Sequence, residues 1–268
     1  MAEQSSHDGM GARLARFPEL AGRVAVVTGA ARGMGACFAA GLAAQGAHVL
    51  AVDIDEAVLE QSLARSREEL GDAAGTLTGM RCDVTRRESH FEVAEQARQR
   101  FGRLDIWVSN AGVFPQTDMD SVTETQVQHT FGVNVEGVIY GAQAAASVMS
   151  AGGCIVNMAS VAAFRVRRGR AVYSATKAAV HNLTRSMAVE LGERSIRVNA
   201  LAPGFIDTEM TNWVREVPGA MEKALASIPL GRIGTPEQVL GALLFLVSDS
   251  ASYVSGQTLG VDGGSRHG

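Results

Sequence analysis

The chain has 268 residues, enough for one large domain that buries roughly three quarters of the surface of its unfolded chain. Its formal net charge of −4 and isoelectric point near 5.9 argue against nucleic-acid binding, which calls for an excess of positive charge. No apolar run reaches about 18 residues, so the sequence predicts no transmembrane helix and no membrane partner.

The N-terminal segment and the cysteines suggest where the protein works. Residues 1–20 contain no apolar run long enough for a signal peptide, and we expect them to be a disordered tail before a single domain at residues 21–268. The three cysteines are too few and too far apart for a disulfide framework, and neither they nor the six histidines have metal-ligand spacing. We therefore expect a soluble cytoplasmic protein without a metal site.

The first predicted element is a strand at residues 24–27, followed by a glycine-rich turn at 28–35 and an alanine-rich helix at 36–45. Glycines let the backbone approach a ligand closely, and the free amide groups at the helix start form an anion site suited to a pyrophosphate. The spacing is Gly-x-x-x-Gly-x-Gly rather than GxGxxG, but the required strand–turn–helix context is present. The turn is therefore a candidate dinucleotide site.

A second apolar run, at residues 48–52, ends in Asp53, eighteen residues after Gly35. An acid at the tip of the second strand can bind the adenosine ribose hydroxyls of a dinucleotide, and its charge repels a 2′-phosphate. This favours NAD over NADP. Arg32 is the opposing signal, because a basic residue in the turn could bind that phosphate. We give Asp53 more weight, since its repulsion is unavoidable whereas Arg32 can simply be solvated.

Apolar runs and helical segments alternate along the rest of the chain. We predict further strands at residues 76–82, 104–108, 154–158, 196–201 and 258–261. We predict further helices at 56–70, from a capping box at Thr85 to Gly102, from a capping box at Thr123 to about Ser150, at 171–192, and from Thr235 to Asp249.

This alternation predicts an α/β fold, a single Rossmann-type doubly wound domain whose seven-stranded parallel sheet has helices on both faces. Ligands of such sheets bind beyond the carboxyl ends of the strands. That rule places along one rim the turn at 29–35, Asp53, Asp83, Asn110, Ser160 and Pro203.

Tyr173 and Lys177 lie four residues apart in a predicted helix, so their side chains leave the same helical face. A nearby ammonium favours the ionised form of a phenol, whose pKa is otherwise about 10, and such a pair can serve as acid and base near neutrality. The ordinary alternative is a solvated pair on the helix surface. The strand end at Ser160 and the glycine-rich turn favour the catalytic interpretation.

Seven short motifs occur in a fixed order: TGAARGMG at 28–35, SNAG at 109–112, Asn134, Ser160, YSATK at 173–177, PG at 203–204 and VDGG at 261–264. In this order and spacing they resemble the short-chain dehydrogenase/reductase family over residues 22–264. The resemblance implies that Tyr173 is the general acid/base and that Ser160 bonds the reacting oxygen. It implies that Lys177 holds the nicotinamide ribose and lowers the tyrosine pKa, and that Asn134 supports a water linked to Lys177.

The same resemblance implies which residues line the cofactor. Besides Tyr173 and Lys177 these are Gly29, Arg32, Gly33, Met34, Gly35, Asp53, Ile54, Asp83, Val84, Asn110, Ala111, Gly112, Pro203, Gly204, Ile206 and Thr208. It also implies a homotetramer.

The implied function is an oxidoreductase that transfers a hydride between NAD(H) and a secondary alcohol or ketone, while Tyr173 moves the proton. Apolar residues of a substrate loop at about 205–230, with Phe114, suggest a small hydrophobic carbonyl compound or alcohol. Two alternatives stay open. A basic run at residues 165–170 could bind an anionic substrate or an acidic carrier protein if two of its arginines face the cleft, and the second case suggests a reductase of 3-oxoacyl groups on a carrier. A solvated loop is the ordinary alternative. The fold also suits a non-catalytic dinucleotide sensor.

Overall fold

The computed structural model describes residues 15–71 and 75–267. Its strands are β1 Val24–Thr28, β2 His48–Asp53, β3 Leu77–Arg81, β4 Ile106–Ser109, β5 Cys154–Met158, β6 Arg197–Pro203 and β7 Thr258–Val261. Its helices are α1 Gly33–Ala44, α2 Glu56–Leu70, α3 Arg87–Phe101, α4 Glu124–Phe131, α5 Gly137–Val148, α6 Ala171–Gly192, α7 Trp213–Glu216, α8 Ala220–Ala226 and α9 Pro236–Val247.

The seven strands form one parallel sheet in the order β3-β2-β1-β4-β5-β6-β7. The chain leaves β1 toward β2 and β3 on one side and later returns to β4 on the other side. The order therefore reverses between β1 and β4, which is where a doubly wound sheet opens a ligand crevice. The predicted fold class is confirmed, and the predicted strand boundaries agree with the observed ones to within two residues.

Alternate residues of β1 face two separate cores. Ala25 and Val27 pack with α1, α2 and α9, whereas Val24 and Val26 pack on the other face, where α3 and α5 cover the sheet. Every residue of β1 is buried, as expected for a parallel strand covered on both faces. This double burial explains why the strand appears in the sequence as an uninterrupted apolar run.

The helix predicted from Thr123 to about Ser150 begins at the capping box of Thr123 and Gln126, as expected. It is interrupted at Gly132–Glu136 by a π-helical turn that separates α4 from α5. Such wide turns are frequent at functional sites. The residue carried by this one is Asn134.

The capping box predicted at Thr85 is wrong. The Thr85 hydroxyl donates to Asp83 Oδ1 at 2.7 Å, and α3 begins one residue later than a Thr85 cap would allow, after Arg86 and without a side-chain cap. A cap would need the Thr85 oxygen to accept from an amide at the helix start, whereas the Asp83 carboxylate orients this hydroxyl toward itself.

The predicted tail boundary at residue 20 lies too far along the chain. Pro18–Leu20 form a 3₁₀ turn, Leu20 is fully buried, and the Phe17 amide donates to Gln45 Oε1 at 2.9 Å. The domain therefore includes at least part of the segment before residue 21, because an apolar side chain there belongs to the core. Residues 1–14 of the predicted tail lie outside the described residues.

Cys37, Cys82 and Cys154 are all free and buried. Burial raises the pKa of each thiol, to about 12 for Cys37 and Cys82 and about 11 for Cys154. Within residues 15–71 and 75–267, no group of histidines, cysteines and acids has the geometry of a metal site. The same residues contain no helix with the length and hydrophobicity needed to cross a bilayer.

Candidate active site

The glycine-rich turn connects β1 to α1 at the switch point of the sheet. Gly29 has φ of +64°, and a Cβ there would lie 2.7 Å from the Cα of Ala111. A Cβ on Gly35 would overlap the carbonyl oxygen of Gly29. Both positions therefore require glycine, and the turn brings backbone amides to the start of α1 in a cradle that fits a pyrophosphate.

Thr28 ties this turn to the loop after β4, a role that the sequence analysis missed. Its hydroxyl oxygen accepts hydrogen bonds from the amides of Asn110 and Ala111, at 3.0 and 3.1 Å. The side-chain Nδ2 of Asn110 donates to the backbone carbonyls of Thr28 and Gly29, at 3.0 and 2.9 Å. Asn110, predicted to contact the cofactor, thus also holds the two sides of the crevice in register.

Asp53, at the end of β2, points into the glycine-rich turn. Its Oδ2 accepts from the Ala31 amide at 3.0 Å, and its Oδ1 accepts from the Asp55 amide at 3.1 Å. Arg32 pairs with Asp55 at 3.2 Å and lies 3.9 Å from Glu209. Ile54 beside them is 57% exposed. The basic side chain of the glycine-rich turn is therefore already engaged by carboxylates.

Asp83 and Val84 follow β3, beside the end of β2. Hydrogen bonds from the Thr85 hydroxyl and amide to the Asp83 carboxylate close a turn, and they hold the pKa of that carboxyl below its usual value. The Val84 carbonyl bonds to His90 Nε2 at 2.9 Å. These contacts position the loop at the rim, and a direct cofactor contact from it stays a prediction.

Ser160, Tyr173 and Lys177 meet in one cleft beside the glycine-rich turn. Ser160 follows β5 and caps a short 3₁₀ turn, with its Oγ accepting from the Ala162 amide at 3.1 Å. Tyr173 and Lys177 lie on the first two turns of α6, and Phe114 packs edge-on against the Tyr173 ring at 4.6 Å between centroids. The residues that the spacing singled out are thus neighbours in space.

Lys177 is buried, with 5% of its surface exposed, and its Nζ donates to the Met158 carbonyl at 2.7 Å. Burial disfavours the ammonium and lowers the Lys177 pKa from 10.5 to about 8. The side chain is therefore still mostly protonated at neutral pH, but close to its titration point.

The expected lowering of the Tyr173 pKa by Lys177 is not found. Burial raises the pKa of the Tyr173 phenol above its ordinary value, and the opposing effects come from the Ser160 hydroxyl and from the positive charge of Arg170. Lys177 Nζ lies 5.7 Å from the centre of the Tyr173 ring and bonds to a backbone carbonyl. Helical spacing placed the two side chains on one face, but the carbonyl of Met158, not the phenol, holds the ammonium.

Asn134 lies behind the cleft and is fully buried. Its Oδ1 accepts from the Val113 amide at 2.8 Å, while its Nδ2 donates to the Val113 carbonyl and to Thr176 Oγ1. A Cβ on Gly112 would lie 3.3 Å from Asn134 Oδ1 and 3.6 Å from Lys177 Nζ, so Gly112 packs against both side chains. Asn134 thereby connects the loop after β4 to α6. Its support of a water beside Lys177 stays a prediction.

The segment after β6 forms the opposite wall of the cleft. Pro203, Gly204, Ile206 and Thr208 line it together with Met34 of the turn. A Cβ on Gly33 would lie 3.5 Å from the Thr208 methyl group, so the start of the substrate loop lies against the glycine-rich turn. The loop itself folds into the short helices α7 and α8 around the buried residues Phe205, Val214, Ala224 and Ile228.

The basic run at 165–170 is mostly engaged in contacts of its own. Arg165 donates to the carbonyls of Ser227 and Ser265, Arg167 to Ser227 Oγ, and Arg168 to Asp118. Of the four arginines, Arg170 lines the cleft and Arg168 is 89% exposed. Of these four arginines, only Arg168 is exposed as a solvated loop would require. Only Arg170 faces the cleft.

The doubly wound sheet, the glycine cradle at its switch point and the Ser160–Tyr173–Lys177 cleft are together those of an oxidoreductase that uses a nicotinamide dinucleotide. A family model described as "Enoyl-(Acyl carrier protein) reductase" matches residues 29–266. The chain belongs to the short-chain dehydrogenase/reductase family. It is an oxidoreductase that acts on CH–OH groups and transfers a hydride between a nicotinamide cofactor and an alcohol or ketone.

Three similar proteins illustrate the range of the family. The chain is 41% identical over 247 residues to a 3-oxoacyl-(acyl-carrier-protein) reductase of Thermotoga maritima, covering 91% of this chain and 98% of the relative. It is 38% identical to a galactitol 2-dehydrogenase of Agrobacterium fabrum, covering 90% and 96% of the two chains. A short-chain dehydrogenase of Burkholderia cenocepacia, solved in complex with NADP, superposes with a TM-score of 0.85 at 32% identity, covering 92% and 98%.

Proposed function

We propose that this protein is an NAD-dependent dehydrogenase that interconverts secondary alcohols and ketones, with Tyr173 as the general acid/base. The observation that carries the proposal is the meeting of Ser160, Tyr173 and Lys177 in one cleft beside the glycine-rich turn. The cleft walls are largely apolar, from Phe114, Met158, Phe205, Met210 and Trp213, which suits the hydrocarbon part of a small substrate. A screen of secondary alcohols with NAD, followed by the absorbance of the reduced nicotinamide, tests the proposal.

The chain's own residues divide the chemistry as follows. A bound nicotinamide dinucleotide supplies or accepts the hydride. Tyr173 takes the hydroxyl proton when an alcohol is oxidised and returns it to the oxygen when a ketone is reduced. The Ser160 hydroxyl is a second donor to that oxygen, so the negative charge that develops there meets donors on two sides. Lys177 supports the site with a positive charge, held in place by the Met158 carbonyl.

The preference for NAD is supported by the charges at the end of β2. Asp53 accepts two backbone hydrogen bonds, which fix its carboxylate at the turn. Asp55 and Glu209 engage Arg32, the cation that would otherwise be available to a 2′-phosphate. At the turn itself the carboxylates outnumber Arg32, and the negative charge of Asp53 disfavours the extra phosphate of NADP.

We predict that Asp53→Asn lowers the preference for NADH over NADPH by about 10- to 100-fold. The change removes on the order of 1–3 kcal/mol of repulsion and keeps the shape of the side chain. Titration of both reduced cofactors by fluorescence measures the ratio. Glu68→Gln, which removes one charge from the exposed face of α2, is the matched control. Equal affinities for the two cofactors in the unmodified protein would contradict the assignment of Asp53.

A second candidate, a reductase of 3-oxoacyl groups on a carrier protein, is favoured by the name of the Thermotoga maritima relative. Few arginines of the basic run are free to bind a carrier protein, because Arg165 and Arg167 form hydrogen bonds within the protein. Arg168 is the most exposed of its arginines, while Arg167 stacks on the Phe205 ring at 4.9 Å and is half-buried. A double Arg167→Glu and Arg168→Glu change would therefore disturb the substrate loop as well.

Arg168→Glu alone separates the two candidates. The carrier hypothesis predicts a loss of about 3- to 10-fold in kcat/KM for carrier-bound 3-oxoacyl groups, since a charge at an interface rim mainly alters association. Turnover of free ketones should be unchanged under both candidates. If carrier-dependent turnover also stays unchanged, the arginine run does not recognise a carrier.

We further propose that the enzyme is a cytoplasmic homotetramer. The family resemblance suggests subunit contacts through the helical segments 124–150 and 171–192. Val127 of α4 and Val189 of α6 are apolar side chains on these segments, 36% and 79% exposed. Three buried, free cysteines suit a reducing compartment.

A further inference from the structure

Arg170 holds an unusual place in the cleft. It immediately precedes α6, and its guanidinium carbon lies 4.8 Å from the centre of the Phe114 ring and 5.0 Å from that of Trp213. Phe205 is a third ring, at 6.0 Å. The guanidinium is thus close to three aromatic rings, in the cleft that Tyr173 also lines.

Within residues 15–71 and 75–267, no carboxylate forms an ion pair with Arg170, and no hydrogen bond is made by its guanidinium. This distinguishes it from Arg165, Arg167 and Arg168, each of which has a hydrogen-bonded partner. Burial and the charge of Arg167 lower the Arg170 pKa, but a guanidinium stays protonated in proteins. A partly buried cation without an anion is costly, and aromatic faces offset only part of that cost.

Arg170 and Tyr173 share an aromatic neighbour in the cleft. Tyr173 and Arg170 contact the same Phe114 ring, with the Tyr173 ring centre at 4.6 Å and the Arg170 guanidinium carbon at 4.8 Å from its centroid. Because both groups contact this one ring, a short carbon chain can extend from an oxygen at Tyr173 to the guanidinium. Those carbons would lie against Phe114 and Trp213.

We propose that Arg170 binds a carboxylate on the substrate, so that the preferred substrates are short oxo acids and the corresponding hydroxy acids. This inference rests on the proposed function and deepens it, because it names the substrate class of the same cleft. The planar fork of a guanidinium matches a carboxylate with two parallel hydrogen bonds. Arg170 then sets both specificity and the orientation of the ketone toward Tyr173.

The test compares straight-chain oxo acids with their methyl esters, as matched pairs in which the number of carbons between ketone and carboxyl is varied. We expect one chain length at which kcat/KM for the acid exceeds that for the ester by at least about tenfold, mainly through KM. In Arg170→Gln this ratio should fall close to one, and in Arg170→Lys it should be intermediate, because the charge is kept but the fork is lost.

Arg215→Gln is the matched control, since Arg215 lies on the same substrate loop as Trp213 but pairs outward with Asp207 at 2.7 Å. Its acid-to-ester ratio should equal that of the unmodified protein. NADH affinity, measured for every variant, reports whether the fold is kept.

The outcomes distinguish a failure of the inference about Arg170 from a failure of the proposed function. If the unmodified enzyme turns over esters or other ketones without favouring the acid at any chain length, the inference about Arg170 is wrong and the proposed function stands. A ratio that survives in Arg170→Gln also overturns it. If no alcohol or ketone is turned over with either dinucleotide, the proposed function itself fails.

Discussion

Replacement of Tyr173 by Phe is expected to lower kcat by about 10²- to 10⁴-fold in both directions of the reaction while dinucleotide affinity changes little. The ring and its edge-on contact with Phe114 are kept, so the variant loses only the hydroxyl that moves the proton. Steady-state rates and a separate NADH titration measure the two effects. Tyr253→Phe, at a fully exposed tyrosine, is the matched control and should behave as the unmodified enzyme.

The pH dependence gives a second readout for Tyr173. Because burial raises the pKa of the phenol, the deprotonated form that accepts a proton from an alcohol becomes more abundant only toward alkaline pH. Alcohol oxidation should therefore accelerate as pH rises, whereas ketone reduction, which needs the protonated phenol, should not. Tyr173→Phe should lose this acceleration.

The same variant decides between an enzyme and a dinucleotide sensor. A sensor would bind NADH and turn over nothing, with or without the Tyr173 hydroxyl. Turnover by the unmodified chain that disappears in Tyr173→Phe, with NADH still bound, is the result we expect. A variant that retains most of its kcat would show that another group carries the proton.

Lys177→Met is expected to abolish most turnover and yet to stabilise the cofactor-free protein at neutral pH. The folded state lowers the Lys177 pKa from 10.5 to about 8, a difference that corresponds to as much as about 3 kcal/mol of destabilisation when the amine is charged. A methionine at position 177 cannot make the hydrogen bond that Lys177 donates to the Met158 carbonyl, and this loss reduces the gain in stability by about 1 kcal/mol. We expect a net gain of about 1–3 kcal/mol in the free energy of unfolding at pH 7.

The sign of the pH effect follows from proton linkage. Between pH 8 and 10.5 the unfolded chain keeps the Lys177 proton that the folded protein has lost, so the stability of the unmodified protein rises with pH across this window. The advantage of Lys177→Met should therefore shrink as pH increases. Urea unfolding at several pH values measures this difference.

The only other lysine of the chain provides the control for this experiment. Lys223 lies exposed on α8, and Lys223→Met should alter neither stability nor its pH dependence by more than about 0.5 kcal/mol. If Lys177→Met is less stable than the unmodified protein at pH 7, the contacts of Lys177 in the folded state outweigh the cost of burying its ammonium, and the expected gain in stability is wrong. Loss of activity alone would not distinguish these cases.

The sequence by itself determined the architecture and the order of the site residues. Strands buried on both faces are apolar almost throughout, and a glycine often lies near the end of a helix, so β1, β2 and β5 and the helices after them are visible as local patterns. The rule that ligands bind beyond the carboxyl ends of parallel strands then placed Ser160 and Asn110 at one rim. Spacing on a helix brought Tyr173 and Lys177 to one face.

What only the tertiary structure decided is which partner each polar group takes. Lys177 bonds to the carbonyl of Met158, Thr85 to Asp83 rather than to the start of α3, and three arginines of one short run to residues far away in sequence. Hydrogen bonds and charge pairs depend on distances of a few ångströms between segments that folding brings together, and local periodicity carries no information about them. For the same reason the unpaired guanidinium of Arg170 became visible only once the cleft around it was assembled.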